Sequence, residues 1–297
     1  MRLNNVIKTA KKLIDLPYNS FSLETYFKIL LENKLNPITI DTDENQPIKL
    51  MSGNNFYARI VTTNYDKLNK KRIILIGKGI LFDSGGLNIK PSEKLDAMTD
   101  DKAGMIVALS VANYLKGNVI AYCPVTTNFI QTSKIIPGDI IKIGNKNVKV
   151  TNTDAEGRLI LAEAISTLNI SKNDIVITVA TLTGSVGYAI GDVATGVFSD
   201  NSCLLQKYAE ASDEADELAW ALPMFDYMQD FYKKEPIKNS IEEFKGGASQ
   251  GAMFIKQFLP YPNQWIHLDI ASSSFDKQGR ANGVPIKSLI NFIKKLQ

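Results

Sequence analysis

The run Asn152-Thr153-Asp154-Ala155-Glu156-Gly157-Arg158-Leu159 sets a carboxylate, a second carboxylate and a guanidinium at every second position. In an extended stretch, alternate side chains leave the backbone on one side, so Asp154, Glu156 and Arg158 would point at one place. Two hard oxygen ligands beside a fixed cation suit divalent metal ions and an anionic intermediate. The competing reading is a solvated turn with a helix N-cap. The flanks favour a site. Strand-like Val148 to Val150 precedes the run and helix-like Leu159 to Leu168 follows it, and ligand sites in α/β sheets form at strand ends.

A second segment adds more of the same chemistry. Gly77-Lys78-Gly79 and Asp83-Ser84-Gly85-Gly86 follow the strand-like run Arg72 to Ile76, and Lys90-Pro91 and Met98-Thr99-Asp100-Asp101-Lys102-Ala103-Gly104 come next. Each residue also has a plain reading. Asp83 before Ser-Gly-Gly reads as a turn, and Lys90 as a surface lysine. Asp100 or Asp101 could cap the helix that starts at Ala103. The glycines around Lys78 permit close backbone approach, and a lysine there ordinarily partners a phosphate or a carboxylate. A nucleotide P-loop is excluded, because G-x-x-x-x-G-K-[ST] is absent. The chain has one histidine, His267, so any metal must use oxygen or amine ligands. His267 lies in the strand-like run Trp265 to Ile270 and reads as structural.

These motifs, in this order, resemble the leucyl aminopeptidase (cytosol aminopeptidase) family of two-metal exopeptidases. The octapeptide Asn152 to Leu159 matches the family signature at every position, and weaker similarity runs from about Asn5 to the C-terminus. The resemblance implies a three-layer α/β/α fold with a mixed, largely parallel central sheet. It implies two divalent ions, zinc or manganese, with cobalt or magnesium as alternatives. Asp83 and Glu156 resemble the bridging ligands, Asp154 a ligand of the first metal, and Asp101 and Lys78 ligands of the second. As a ligand Lys78 must be neutral, which burial beside dications can achieve.

Lys90 resembles the lysine that stabilises the oxyanion formed when metal-activated water attacks the peptide carbonyl. Arg158 resembles the arginine that holds a bicarbonate acting as base. Thr181, Leu182, Thr183 and Gly184 match the segment whose backbone pairs with substrate. Met98, Ala271 and Ser274 fall where the family lines the pocket for the N-terminal side chain. The implied activity is removal of an apolar N-terminal residue from short peptides by a cytoplasmic homo-hexamer, a dimer of trimers. Family members usually carry a further N-terminal domain. The resemblance begins at the connecting helices, about residues 1–35, so residues 1–297 are expected to be one catalytic domain without it. Three departures stand out: Ile130-Gln131-Thr132 replaces a proline-serine-glycine turn, Ser272 a glycine, and Lys102 a small or apolar residue.

The elements that must position these residues follow from periodicity. Leu3, Val6, Ile7, Ala10, Leu13 and Ile14 fall at helical spacing with lysines opposite, which predicts an amphipathic helix on a core; a membrane-surface helix is its rival. Ser22 can cap a second helix through about Asn33. Strands are expected at Ile38 to Ile40, Tyr57 to Val61 and Arg72 to Ile76, with Thr62 to Lys71 as a hairpin turn or loop. Strand–helix alternation follows: helix Ala103 to Leu115, strand Val119 to Val125, helix Leu159 to Leu168, strand Ile175 to Ala180, and a helix near Leu204 to Trp220. The chain closes with a helix near Gln250 to Leu259, strand Trp265 to Ile270 and helix Pro285 to Leu296. Such alternation predicts a largely parallel sheet covered on both faces. Tyr232 to Gly247, rich in Lys, Glu, Asn and Gly, reads as a surface loop.

Composition sets the outer bounds. A chain of 297 residues that is 44% apolar can bury a large core. Lys+Arg 34 against Asp+Glu 31 gives +3, which offers no basic footprint for nucleic acid and no strong attraction to a membrane. No run reaches the roughly 18 apolar residues of a membrane span. Cys123 and Cys203 lack metal or redox spacing and read as thiols of a reducing compartment.

Overall fold

The computed structural model describes residues 2–21, 25, 28, 37–40, 47–52, 58–62, 71–131 and 133–297. The helix expected from Ser22, apart from residues 25 and 28, and residues 63–70 of the polar stretch lie outside the described residues. The strands are β1 (Pro37–Ile40), β2 (Ala58–Thr62), β3 (Ile73–Gly77), β4 (Gly79–Asp83), β5 (Val119–Asn128), β6 (Ile140–Ile143), β7 (Lys146–Lys149), β8 (Ile175–Ala180), β9 (Thr195–Phe198), β10 (Ala219–Ala221), β11 (Ile237–Lys238) and β12 (Trp265–Asp269). The helices are α1 (Leu3–Ile14), α2 (Pro47–Ser52), α3 (Ala103–Leu115), α4 (Gly157–Thr167), α5 (Ser185–Ile190), α6 (Ser202–Ala215), α7 (Gly247–Lys256) and α8 (Ile286–Leu296).

Among the described residues nine strands form one sheet in the order β1-β2-β5-β3-β8-β12-β9-β10, with β4 paired to β5. The neighbours β5/β3, β3/β8, β8/β12, β4/β5 and β9/β10 are parallel, while β1/β2, β2/β5 and β12/β9 are antiparallel. Successive strand residues alternate between the two faces. Ile73 and Leu75 join one buried cluster with α1, α3, α6 and α8, whereas Ile74 and Ile76 join another with α2, α4 and α7. The result is the expected three-layer α/β/α fold with a mixed, largely parallel sheet.

Val6, Ala10, Leu13 and Ile14 are buried, so the amphipathic stripe of α1 faces the core and not a membrane. No described helix is long and apolar enough to cross one.

Three expectations are corrected. First, β2 and β3 form no hairpin: both pair with β5, which lies between them. Second, the helix expected to reach Trp220 stops at Ala215. Asp216 takes a left-handed conformation (φ 55°) and its N–H returns to the last turn, which ends the helix; Trp220 belongs to the edge strand β10. Third, Tyr232 to Gly247 is no simple surface loop. It contributes β11, which pairs with β7, and buries Ile237, Asn239 and Ile241.

Candidate metal centre and active site

The site begins at a break in one strand. Up to Gly77 the chain pairs with β8 on one side and β5 on the other; beyond Lys78, as β4, it follows β5. Lys78 marks the divergence: its N–H donates to Val179 O (3.0 Å) and its carbonyl accepts from Met105 N (2.8 Å). The cleft between diverging strands is where α/β sheets hold ligands. The start of α3 reaches it because two backbones touch. A Cβ on Gly104 would lie 2.3 Å from Val179 O, and one on Gly77 would lie 2.4 Å from Gly104 O. Glycine is required at both positions by close approach.

Asp83 ends β4. Its Oδ1 accepts from Asn128 Nδ2 (2.7 Å) and Gly85 N (2.9 Å). Asp101 lies in a short 3-10 helix, Asp96–Lys102. Neither Asp100 nor Asp101 caps α3, whose N-cap Lys102 also makes no side-chain cap. Asp101 instead accepts from Thr181 Oγ1 (2.7 Å) and pairs with Lys78 Nζ (2.7 Å).

The signature octapeptide departs from the extended reading. It follows β7, a strand of a separate three-stranded sheet (β11-β7-β6), not of the central one. Asn152 to Asp154 turn, Glu156 is already helical (φ −77°, ψ −36°), and Arg158 sits in the first turn of α4. A turn feeding a helix therefore gathers Asp154 and Glu156, and strand alternation does not. Ligand oxygens of Asp83, Asp154 and Glu156 all lie within 4.8 Å of one another. Arg158 is buried beside this group and does not line the cavity. Its Nη1 donates to Asn239 O (2.8 Å), and its Nε has no hydrogen-bond partner among the described residues.

Two ammonium groups sit among the carboxylates. Lys78 Nζ pairs with Asp101 and Glu156 (2.9 Å) and donates to Thr181 O (3.0 Å). Lys90 Nζ pairs with Asp83 (2.8 Å) and Asp154. Burial works against the charge on both lysines, but the surrounding carboxylates outweigh it and raise both well above the ordinary lysine value. Burial pushes Asp101 up to about 8 and Asp154 up to about 7, and it raises Asp83 as well. Glu156 is held down, burial being overcome by Lys78 and Lys90. Four carboxyl groups outnumber the two ammonium groups beside them, and Glu156 Oε2 is buried without a hydrogen-bond partner among the described residues. A donor set of hard oxygens with that imbalance fits divalent cations. Such an ion would compete with protons for the same atoms.

The cluster opens into a cavity of about 460 Å³ lined also by Met98, Asp100, Thr181, Leu182, Thr183, Gly184, Ala271 and Phe275. Of the expected pocket residues, Met98, Ala271 and the segment Thr181 to Gly184 face it. Ser274 does not: it is buried and its hydroxyl donates to Val284 O (3.4 Å).

Sequence reasoning also missed supporting residues. Asp269, at the end of β12, accepts from Leu182 N (3.1 Å), Ala271 N (3.3 Å) and Thr183 Oγ1 (2.7 Å), which fixes the segment beside the cavity. A carboxylate ending a buried strand was the available signal. Asn239 braces the octapeptide: Oδ1 accepts from Thr151 N (2.8 Å) and Asn152 N (3.2 Å), and Nδ2 donates to Asn152 O (2.7 Å) and Ala155 O (3.3 Å). Nothing in its polar surroundings distinguished it.

Residues 45–290 match the family model "Cytosol aminopeptidase family, catalytic domain". The chain belongs to the cytosol aminopeptidase family. It is 36% identical over 245 residues to the human cytosol aminopeptidase, covering 76% of this chain and 46% of that protein. It is 32% identical over 320 residues to the Bos taurus cytosol aminopeptidase, covering 96% and 60%. The chain thus spans about half the length of the curated family relatives it matches. Among solved structures, the bottromycin maturation enzyme BotP in complex with Mn shares the fold, with a TM-score of 0.84 at 24% identity over 98% of this chain and 70% of that one.

Proposed function

We propose that this chain is the catalytic domain of a two-metal aminopeptidase that removes apolar N-terminal residues from short peptides. The observation that carries the reading is the convergence of Asp83, Asp154 and Glu156 within 4.8 Å, with Asp101, Lys78 and Lys90 on the wall of the same cavity. In this reading Asp83 and Glu156 would be ligands shared by two ions, Asp154 would complete one site, and Asp101 and Lys78 would complete the other. Bound divalent ions supply Lewis-acid polarisation of the scissile carbonyl and a water nucleophile at neutral pH.

The remaining work falls to the chain itself. Lys90, charged and facing the cavity, stabilises the negative charge that develops on the carbonyl oxygen. The backbone of Thr181 to Gly184, held by Asp269, orients the substrate. Met98, Leu182 and Ala271 take the apolar side chain and exclude water. Arg158 would hold a bicarbonate able to serve as base; its buried Nε, without a hydrogen-bond partner among the described residues, supports an anion there.

We extend the proposal to a homo-hexameric assembly, checked by light scattering, and to the cytoplasm, in keeping with the unpaired thiols Cys123 and Cys203.

The test is leucine-amide hydrolysis by chelated protein with Zn²⁺, Mn²⁺ or Co²⁺ restored, beside N-acetyl-leucine amide. Activity should require added metal at about two ions per chain, and the blocked substrate should not be cleaved. Full activity without metal, or rapid cleavage of the blocked amide, would overturn the proposal.

A further inference from the structure

The geometry points to Phe275 as the residue that sets the upper size limit of the pocket for the substrate's N-terminal side chain. This rests on the aminopeptidase reading above. Four of the apolar side chains that line the cavity differ in what they can do. Ala271 offers little bulk, Leu182 belongs to the segment that orients substrate, and Met98 is unbranched and adapts its shape. Phe275 is the bulkiest of them. It also packs against the buried cluster under α1, α3 and α8. The partly buried ring lies between the core and the cavity.

Its backbone is constrained. Phe275 pairs with Ala281 across an antiparallel bridge. Between them, Asp276 closes a tight turn: its N–H donates to Arg280 O (2.8 Å), and its Oδ1 accepts from Gln278 N (2.9 Å) and Arg280 N (3.0 Å). Asn282 returns to the preceding residues, donating from N to Ser274 O (3.0 Å) and from Nδ2 to Ser273 O (2.6 Å). Asp15, just after α1, accepts from Ala281 N (2.7 Å) and fastens the turn to the body of the domain. A wall held on both flanks discriminates by size, because a larger side chain must displace packed atoms. The neighbouring Ser274 points into protein and cannot serve this role.

The experiment compares kcat/KM for alanine, leucine and phenylalanine amides in metal-loaded wild type, Phe275→Ala and Phe275→Trp, with folding checked by circular dichroism. Phe275→Ala should raise the phenylalanine-to-leucine ratio about tenfold or more, the effect of a few methylene-sized volumes in an apolar pocket. Phe275→Trp should lower both the phenylalanine-to-leucine and leucine-to-alanine ratios. Unchanged ratios in a folded, active variant would overturn the assignment. If Phe275→Ala does not fold, the tryptophan variant decides by the same criterion. Two folded variants inactive on all three amides would also overturn it, since a wall residue is not needed for turnover. A wild type that cleaves none of the amides would instead refute the aminopeptidase reading itself.

Discussion

Gly157 and Lys78 occupy adjoining space that admits no side chain on the glycine. A Cβ at position 157 would lie 2.6 Å from Lys78 Cε and 2.8 Å from its Nζ. The glycine that opens α4 therefore decides where the amine of a residue 79 positions earlier can sit. The atoms in the way belong to the end of a flexible chain and can move, but the amine is buried and ion-paired, so moving it costs stability as well as damaging the site.

Gly157→Ala should accordingly still fold, at reduced stability, the better helix propensity of alanine offsetting only part of the loss, while pushing the amine away from Asp101 and Glu156. We expect metal content to fall below two ions and leucine-amide turnover to drop at least about tenfold, a shift of roughly 1.4 kcal/mol. Thermal unfolding measured beside metal analysis checks this. A folded variant with two ions and unchanged turnover would show that Lys78 tolerates displacement.

Lys78→Arg separates a ligand from a counter-ion. An amine binds metal only when unprotonated, whereas guanidinium stays protonated and offers no usable lone pair. If Lys78 is a ligand, the arginine variant should fold, lose affinity for one metal and lose most of its turnover. Two retained ions with near-wild-type turnover would mean that Lys78 only balances the carboxylates.

Asn239→Ala should destabilise the protein by about 2–4 kcal/mol, because it strips partners from buried backbone groups of Thr151, Asn152 and Ala155. The loop it releases carries Asp154 and Glu156, so metal affinity should fall with stability. Urea unfolding together with metal titration tests the pair of effects; a change under about 0.5 kcal/mol would contradict the bracing role.

His267 supplies a pH dependence independent of metal. It is fully buried between Trp265 and Phe198, with Nδ1 2.8 Å from Thr178 Oγ1 and Nε2 lacking a hydrogen-bond partner among the described residues. Burial pushes its pKa down to about 3, against 6.5 for the free side chain. The unfolded chain therefore takes up the proton first. The contribution is fully present above about pH 6.5 and is lost progressively as pH falls toward 3. Relative to His267→Gln, the stability advantage of wild type should shrink by about 2–3 kcal/mol between pH 7.5 and pH 4.5. Denaturant titrations of both proteins at the two pH values measure it, and a difference independent of pH would show that His267 titrates normally.

Much of the architecture was legible in the residues themselves. The continuous apolar run Ile73 to Ile76, buried on both faces, and helical spacing along Leu3 to Ile14 are local properties, set by how Cβ atoms leave a strand or a helix. Asp83, Asp101, Lys78 and Lys90 each had a plain local reading, and it was the order of their motifs along the chain, resembling one family, that singled them out. Tertiary structure decided how they meet. The octapeptide alone suggested strand alternation, but its convergence comes from a turn held by Asn239, more than 80 residues away. The cleft exists because the strand breaks at Lys78, which depends on what β5 and β8 offer on either side. The pocket wall passed from Ser274 to Phe275 because Asp276, Asn282 and Asp15 fix the turn. Sequence determines which side chains can do chemistry, since that is a matter of atoms and local geometry. Where a side chain points is settled by hydrogen bonds and packing between segments far apart in the chain, and no local pattern records those.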